Sequence, residues 1–185
     1  MNSTRKFLTI GAFVGSLAVI MFWPQASAQA QRTITPEFDA KVIHVDDGDT
    51  VVALRGSGER QKVRLANIDA PEVQHGRCRP GQPFGQKATD ALERLVKGKQ
   101  IGFVCHTLDR YDRAVCDLKI GDTTASRELA RQGLVWANRA NPGYLRDRKV
   151  AEAEREAQAR RIGLWADDSA VRPWEWRRSR WTNAC

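Results

Sequence analysis

Two tight turns between Phe38 and Ile68 fix the start of this fold as an antiparallel meander. Phe38 to Val45 and Thr50 to Leu54 are short runs rich in β-branched residues, and Asp46-Asp47-Gly48-Asp49 between them is strong hairpin chemistry. Gly56-Ser57-Gly58 makes the next turn. Glu59 to Ile68 then sets Gln61, Val63 and Leu65 on one face and Lys62, Arg64 and Ala66 on the other, the alternation of a strand with one buried side.

Pro71 ends that strand, and Val73 to Pro83 is a loop bearing glycine and proline. Phe84, Ala88, Ala91, Leu92, Leu95 and Val96 recur at helical spacing, with Lys97 in the last turn and Gly98 as the stop. Gln100 to Cys105 and Ala114 to Ile120 read as two more strands around an Asp109–Arg113 turn. A turn and cap at Gly121–Thr124 leads into a short helix, Ala125 to Gln132, closed by Gly133. After a break at Asn141-Pro142-Gly143, Tyr144 to Arg161 reads as a long charged helix ended by Gly163. The order β-β-β-α-β-β-α-α predicts an α+β fold, a five-stranded OB-type barrel with about three helices.

The ends of the chain are of different material. Arg5 and Lys6 precede an apolar run from Phe7 to Trp23, Pro24 breaks it, and Ala26-Ser27-Ala28 and Ala28-Gln29-Ala30 both fit a small-x-small cleavage rule. Residues 1–28 therefore read as a secretory signal cut before Gln29 or Gln31, with an uncut anchor over residues 7–23 as the alternative. Residues 29–37 read as a disordered lead-in, 38–166 as the barrel domain, and 167–185 as a tail rich in Trp and Arg. Export, to a periplasm or outside the cell, is the expectation.

An oxidising compartment favours two disulfides from the four cysteines, with three possible pairings. Cys105 and Cys116 straddle the Asp109–Arg113 turn symmetrically, opposite each other across a hairpin, which leaves Cys78 with Cys185. A zinc site involving His75 or His106 is the other use, but no pair has the usual ligand spacing. The net charge of +8 and a pI near 9.7 point toward polyanionic partners, since basic surface draws phosphate backbones by releasing counterions.

The chemistry lies between Asp47 and Glu72, with a second piece at Asp109–Arg113. Asp49 and Asp69 offer hard carboxylates and Ala70 a neutral carbonyl, the donors that calcium or magnesium takes. Glu72 follows a proline and is displayed from a rigid turn, where it could act as general base on a water. Arg64 and Arg113 carry the planar fork that grips phosphate oxygens and braces developing charge. Each has a plainer reading: Asp47 and Asp49 as turn formers, Glu72 as a solvated loop residue, both arginines in surface ion pairs. A straight strand would put Arg64 about 17 Å from Asp69, too far for one phosphate.

Taken in order, these motifs resemble the thermonuclease family, the staphylococcal nuclease-like proteins. The matching pieces are Asp47-Gly48-Asp49-Thr50, Arg64 ahead of Asp69-Ala70-Pro71-Glu72, and Asp109-Arg110-Tyr111-Asp112-Arg113. Leu129 to Leu134 and the stretch from Ala157 to Trp165 follow, so the likeness runs from Lys41 to Trp176. The resemblance implies an OB-fold barrel, a calcium ion held by Asp49, Asp69 and the Ala70 carbonyl, and cleavage of DNA and RNA phosphodiesters. It makes Glu72 the base, Arg64 and Arg113 the phosphate-binding catalytic arginines, and Tyr111 a neighbour of the substrate phosphate. Water would attack in line and leave 3′-phosphate ends, and the expected state is a monomer.

The chain departs from the family pattern in three places: Ala70 replaces a threonine, Asp112 replaces a glycine, and Arg139 and Asn141 stand where base-flanking tyrosines are expected. Tyr144 and Trp136 are the substitutes nearest to hand. Two other functions compete with the nuclease. One is an OB module that binds nucleic acid without cutting it, the other an envelope protein anchored by residues 7–23. Retention of Asp49, Arg64, Asp69, Glu72 and Arg113 together argues for activity.

Overall fold

The computed structural model of the chain describes residues 34–181. The segment read as a leader, residues 1–28, and most of the lead-in lie outside the described residues, as does Cys185. No helix among the described residues is long and apolar enough to cross a membrane.

The meander is present as β1 (Glu37–Asp47), β2 (Thr50–Arg55) and β3 (Arg60–Leu65), with β1 antiparallel to β2 and β2 to β3. Register shifts between Val42 and His44 and between Val45 and Asp47 coil the long first strand. This lets β1 serve two neighbours: its first half pairs with β5 (Gln100–Leu108), which pairs in turn with β6 (Ala114–Ile120). Parallel pairing of β3 with β6 closes a five-stranded barrel. Inward-facing Val42, Val51, Val63, Leu65, Phe103 and Leu118 fill it and are almost entirely withdrawn from water.

Three helices cover the barrel. Helix α1 (Gly85–Val96) buries Ala88, Ala91, Leu92 and Val96, the stripe that its sequence spacing predicts. Helix α2 (Ala125–Arg131) is capped by Thr124, whose hydroxyl accepts from the Arg127 N–H at 3.3 Å, and packs against α3 (Arg148–Ala159). A fourth, one-turn helix, α4 (Pro173–Trp176), runs into a π-type turn over Arg177–Trp181. Cys105 and Cys116 are paired across the β5–β6 ladder and joined by a disulfide. Cys78 is disulfide-bonded as well.

Two segments differ from the sequence reading. The strand expected as one run from Glu59 to Ile68 is two: β3 stops at Leu65, and β4 (Ile68–Asp69) pairs instead with a two-residue strand at Trp136–Ala137. Between them Asn67 takes a left-handed backbone, φ 71°, which asparagine tolerates better than most residues. The last long helix begins at Arg148 and not at Tyr144. Asp147 caps it by accepting from the Lys149 N–H, while the Arg146 and Asp147 N–H groups are taken by the Asn67 side chain.

Candidate active site

The β1–β2 turn delivers the first acid. The Asp47 carboxylate accepts from the Asp49 N–H at 3.0 Å, a local bond that holds the turn open. Gly48 is pressed between Ala70, just past β4, and α1, for a Cβ there would lie 2.7 Å from the Cβ atoms of both Ala70 and Ala88. Asp49 is consequently driven inward, 3% exposed, and its Oδ2 accepts from the Ala70 N–H at 3.0 Å.

Asn67 delivers the second acid. Its Oδ1 accepts from the Arg146 and Asp147 N–H groups at 2.7 and 2.9 Å, and its Nδ2 donates to Asp117 at 2.9 Å. The backbone reversal pinned in this way folds Asp69 back toward β3. Arg64 NH1 donates to Asp49 Oδ1 and NH2 to Asp69 Oδ1, each at 2.7 Å. The distance that a straight strand imposes is thus removed by a single turn.

Closure of the barrel delivers the second arginine. Val63 pairs with Ala114 and Arg64 with Val115 across β3–β6, so Arg113 arrives beside the same end of β3. Asp109 steers it: its carboxylate accepts from Arg113 Nε at 2.7 Å and from the Arg113 N–H at 3.0 Å. Asp112 carries the left-handed turn, φ 58°, in the place of glycine. Arg113 NH1 approaches Thr50 Oγ1 at 3.4 Å, and that hydroxyl donates to Asp49 Oδ1 at 3.1 Å. Tyr111 is 68% exposed, with the Arg113 guanidinium 5.4 Å from its ring centre.

Glu72 follows from Pro71 and is fastened by its backbone. Its N–H donates to Gln82 Oε1 at 3.0 Å and its carbonyl accepts from the Gln82 N–H at 2.7 Å. Gly85 allows this approach, since a Cβ there would collide with the Glu72 carbonyl. Burial, reinforced by the negative charges of Asp49 and Asp69, raises the Glu72 carboxyl to about 7 against the pull of Arg177. Burial likewise pushes Asp49 up, opposed by Arg64. Burial draws the Arg64 guanidinium down, but Asp49 and Asp69 outweigh it and hold it firmly protonated.

Arg177 joins the cluster without any warning in the sequence. Its NH2 donates to Asp69 Oδ2 at 2.7 Å, its NH1 to Asp69 Oδ1 at 3.2 Å and also to Glu72 Oε1. The interleaving of Trp and Arg in the tail gives a composition, not a position, so nothing in it marks this arginine. Asn67, Thr50 and Asp109 are further supports that the motif residues alone do not reveal. Trp136, considered as a base-stacking surface, is buried edge-on against Trp165. Tyr144 is 48% exposed.

Among the described residues no group of three His, Cys, Asp or Glu side chains is disposed to hold a metal ion. Asp49, Asp69 and the Ala70 carbonyl are nevertheless hard oxygen donors of the type that calcium takes, with water filling the remaining positions. A cation already sits on the Asp69 and Glu72 carboxylates, in the form of Arg177. The donor set fits a hard divalent ion. A polar crevice lined by Asp122, Arg127, Arg131, Lys149, Glu152 and Glu156 lies apart from the cluster, and its acids and bases largely neutralise one another.

Comparison with known proteins bears on this geometry. The family model for staphylococcal nuclease homologues matches residues 62–167, a span that includes Arg64, Asp69, Glu72 and Arg113. The chain is 36% identical over 138 residues to an uncharacterized endonuclease of Haemophilus influenzae, covering 75% of this chain and 72% of that one. It is 34% identical over 152 residues to a micrococcal nuclease of Shigella flexneri, covering 77% and 82%. A staphylococcal-like nuclease of Arabidopsis thaliana is 34% identical over 119 residues, covering 64% of this chain and 34% of that protein.

Proposed function

The chain belongs to the staphylococcal nuclease homologues and is a phosphodiester hydrolase acting on nucleic acid, and on that footing we propose that it is an exported, calcium-dependent nuclease leaving 3′-phosphate ends. The observation that carries this reading is the Arg64 bridge: one guanidinium holds Asp49 and Asp69 at 2.7 Å each, with Glu72 reaching the same cluster through Arg177. Asp49, Asp69 and the Ala70 carbonyl are the residues to hold calcium, which when bound neutralises phosphate charge and sharpens the acidity of a neighbouring water.

The chain's own groups account for the remaining work. Glu72 takes the proton of the attacking water, whose oxygen bonds to phosphorus in line with the departing 5′ oxygen. The P–O5′ bond breaks, the 5′ oxygen regains a proton from solvent, and the phosphate stays on the 3′ side. Arg113, steadied by Asp109, binds a phosphate oxygen whose charge grows in the transition state. Arg64 keeps the two acids in register and stands ready for the same phosphate, and Tyr111 flanks it from the exposed turn. DNA and RNA are both suitable substrates, the protein acting as a monomer. The Cys105–Cys116 disulfide suits an oxidising compartment and supports export.

The test uses the chain from Gln29 onward, purified oxidised, with an end-labelled single-stranded DNA and an RNA of the same sequence. Cleavage is followed in calcium, in magnesium and in chelator, and product ends are assigned by phosphatase sensitivity. Cutting that requires calcium and yields 3′-phosphates is the expected result. Cutting undiminished in chelator would overturn the metal assignment, and 5′-phosphate products would overturn the direction of attack.

A further inference from the structure

Asp69 is 1% exposed, and a buried carboxylate needs a cation or hydrogen-bond donors around it. Arg64 supplies one side of that need and Arg177 the other, in a fork across both Asp69 oxygens. The same fork reaches Glu72. Three acids, Asp49, Asp69 and Glu72, are thereby matched with two guanidinium groups before any metal enters. A metal ion seeking Asp69 has to meet Arg177 at the oxygens it needs.

Arg177 is held in place by its segment and not by a core. Trp176 Nε1 and Trp181 Nε1 both donate to the Pro80 carbonyl, at 3.0 and 3.4 Å. The Arg79 guanidinium lies 5.3 Å from the Trp181 ring centre. Gln82, whose side-chain oxygen fastens the Glu72 N–H, donates from its Nε2 to the Val171 carbonyl at 2.8 Å. The segment therefore grips the very loop that positions the base. No residue from Arg177 to Trp181 is fully buried, so Arg177 itself is not locked into a core.

We propose that Arg177 is a tethered counter-cation of the metal site, holding Asp69 and Glu72 when no metal is present and displaced from them when a divalent ion binds. The proposal rests on the metal site put forward above. Metal affinity is then set partly by residues 173–181, because the ion binds only the fraction of molecules in which Arg177 has let go. Arg177 is in this sense a specificity residue: a divalent ion, with its higher charge, can displace the guanidinium, whereas sodium or potassium cannot.

Calcium binding to the disulfide-intact chain, titrated calorimetrically after chelator treatment, tests this directly. Arg177→Ala should bind calcium about 10-fold more tightly than wild type, the factor for a latch closed in roughly nine molecules of ten. Arg172→Ala removes the same charge just ahead of that segment, where Arg172 bonds Glu175 at 3.0 Å, and should stay within about 2-fold of wild type. Trp181→Ala leaves every site charge in place and should tighten binding about 3-fold by loosening the tether. Arg177→Lys retains a cation and guards against misfolding of the alanine variant; its affinity should fall between wild type and Arg177→Ala. In wild type, calcium should also lower the amide exchange protection of residues 173–181.

Affinities of Arg177→Ala and Arg172→Ala that match, or weaker binding by Arg177→Ala, would overturn the proposal. So would calcium binding that leaves the protection of residues 173–181 unchanged. Equal, measurable binding by wild type and Arg177→Ala would sink the latch alone. Failure of both to bind calcium, magnesium or manganese would sink the metal assignment and the latch together.

Discussion

Arg64 and Asp69 are five residues apart in sequence and 2.7 Å apart in space. A regular strand cannot do this, and the contact exists because the chain leaves β3 at Leu65, reverses at Asn67 and re-enters a different sheet at Ile68. Asn67 is fixed from both the barrel and the helical layer, through Asp117 on β6 and the backbone just ahead of α3. The geometry of the acid cluster depends on that one reversal.

Asn67→Ala should therefore cost stability and activity together. Losing the bonds to Arg146, Asp147 and Asp117 while forcing alanine into a left-handed backbone amounts to about 3 kcal/mol. Asn67→Gly keeps the backbone comfortable and loses only the side-chain bonds, for about 2 kcal/mol. Urea unfolding and kcat/KM measured on both would check this. A wild-type profile for Asn67→Ala would mean that other contacts hold Asp69 in place.

Glu72→Ala separates base from ligand. Turnover should fall by at least ~10², the scale for losing a general base, while calcium still binds through Asp49 and Asp69. Turnover and calcium titrations on the same preparation decide the matter. Parallel loss of both would identify Glu72 as a ligand.

Arg113→Ala should lower kcat more than it raises KM, because a guanidinium that binds growing phosphate charge contributes chiefly in the transition state. Steady-state kinetics on a short oligonucleotide provide the measurement. A change confined to KM would make Arg113 a docking cation only.

The Asp109–Arg113 pair carries a pH signature. Burial raises the Asp109 carboxyl, but hydrogen bonds from the Arg113 side chain and from the Arg113 and Tyr111 N–H groups outweigh it and leave the group below 3.8. An acid depressed by folding stabilises the native state above its unfolded value and loses that contribution as pH falls through the folded one. Wild type should therefore exceed Asp109→Asn in stability at neutral pH, with the gap closing as pH drops below 3.8. Unfolding midpoints from pH 7 to pH 2 would reveal this, and a gap that persists at pH 2 would assign the difference to packing.

The barrel was legible because its signals are local. Hairpin turns, alternating strands, the helical stripe from Ala88 to Val96 and the mirrored cysteines at 105 and 116 each report on neighbours in sequence. The residues that complete the site are different in kind. Asn67 sits inside a convincing alternation, and only its partners 50 to 80 positions away show why the strand breaks there. The same bonds delay the start of α3, which the charge pattern alone extends back to Tyr144. Arg177 lies 105 and 108 positions from its two partners, and one arginine among several in an aromatic tail carries no local mark of its destination.

The parallel pairing of β3 with β6 has a kinetic side. Among the described residues it is the one parallel ladder of the barrel, and like the antiparallel β1–β5 ladder it joins strands far apart in sequence, here with α1 and β5 in between. Such long-range closures come late and slowly, after hairpins have formed. Arg64 and Arg113 stand at the two edges being joined, so closing this seam is also what brings the site together. A chain that has not yet made that seam is, on this account, an unarmed one.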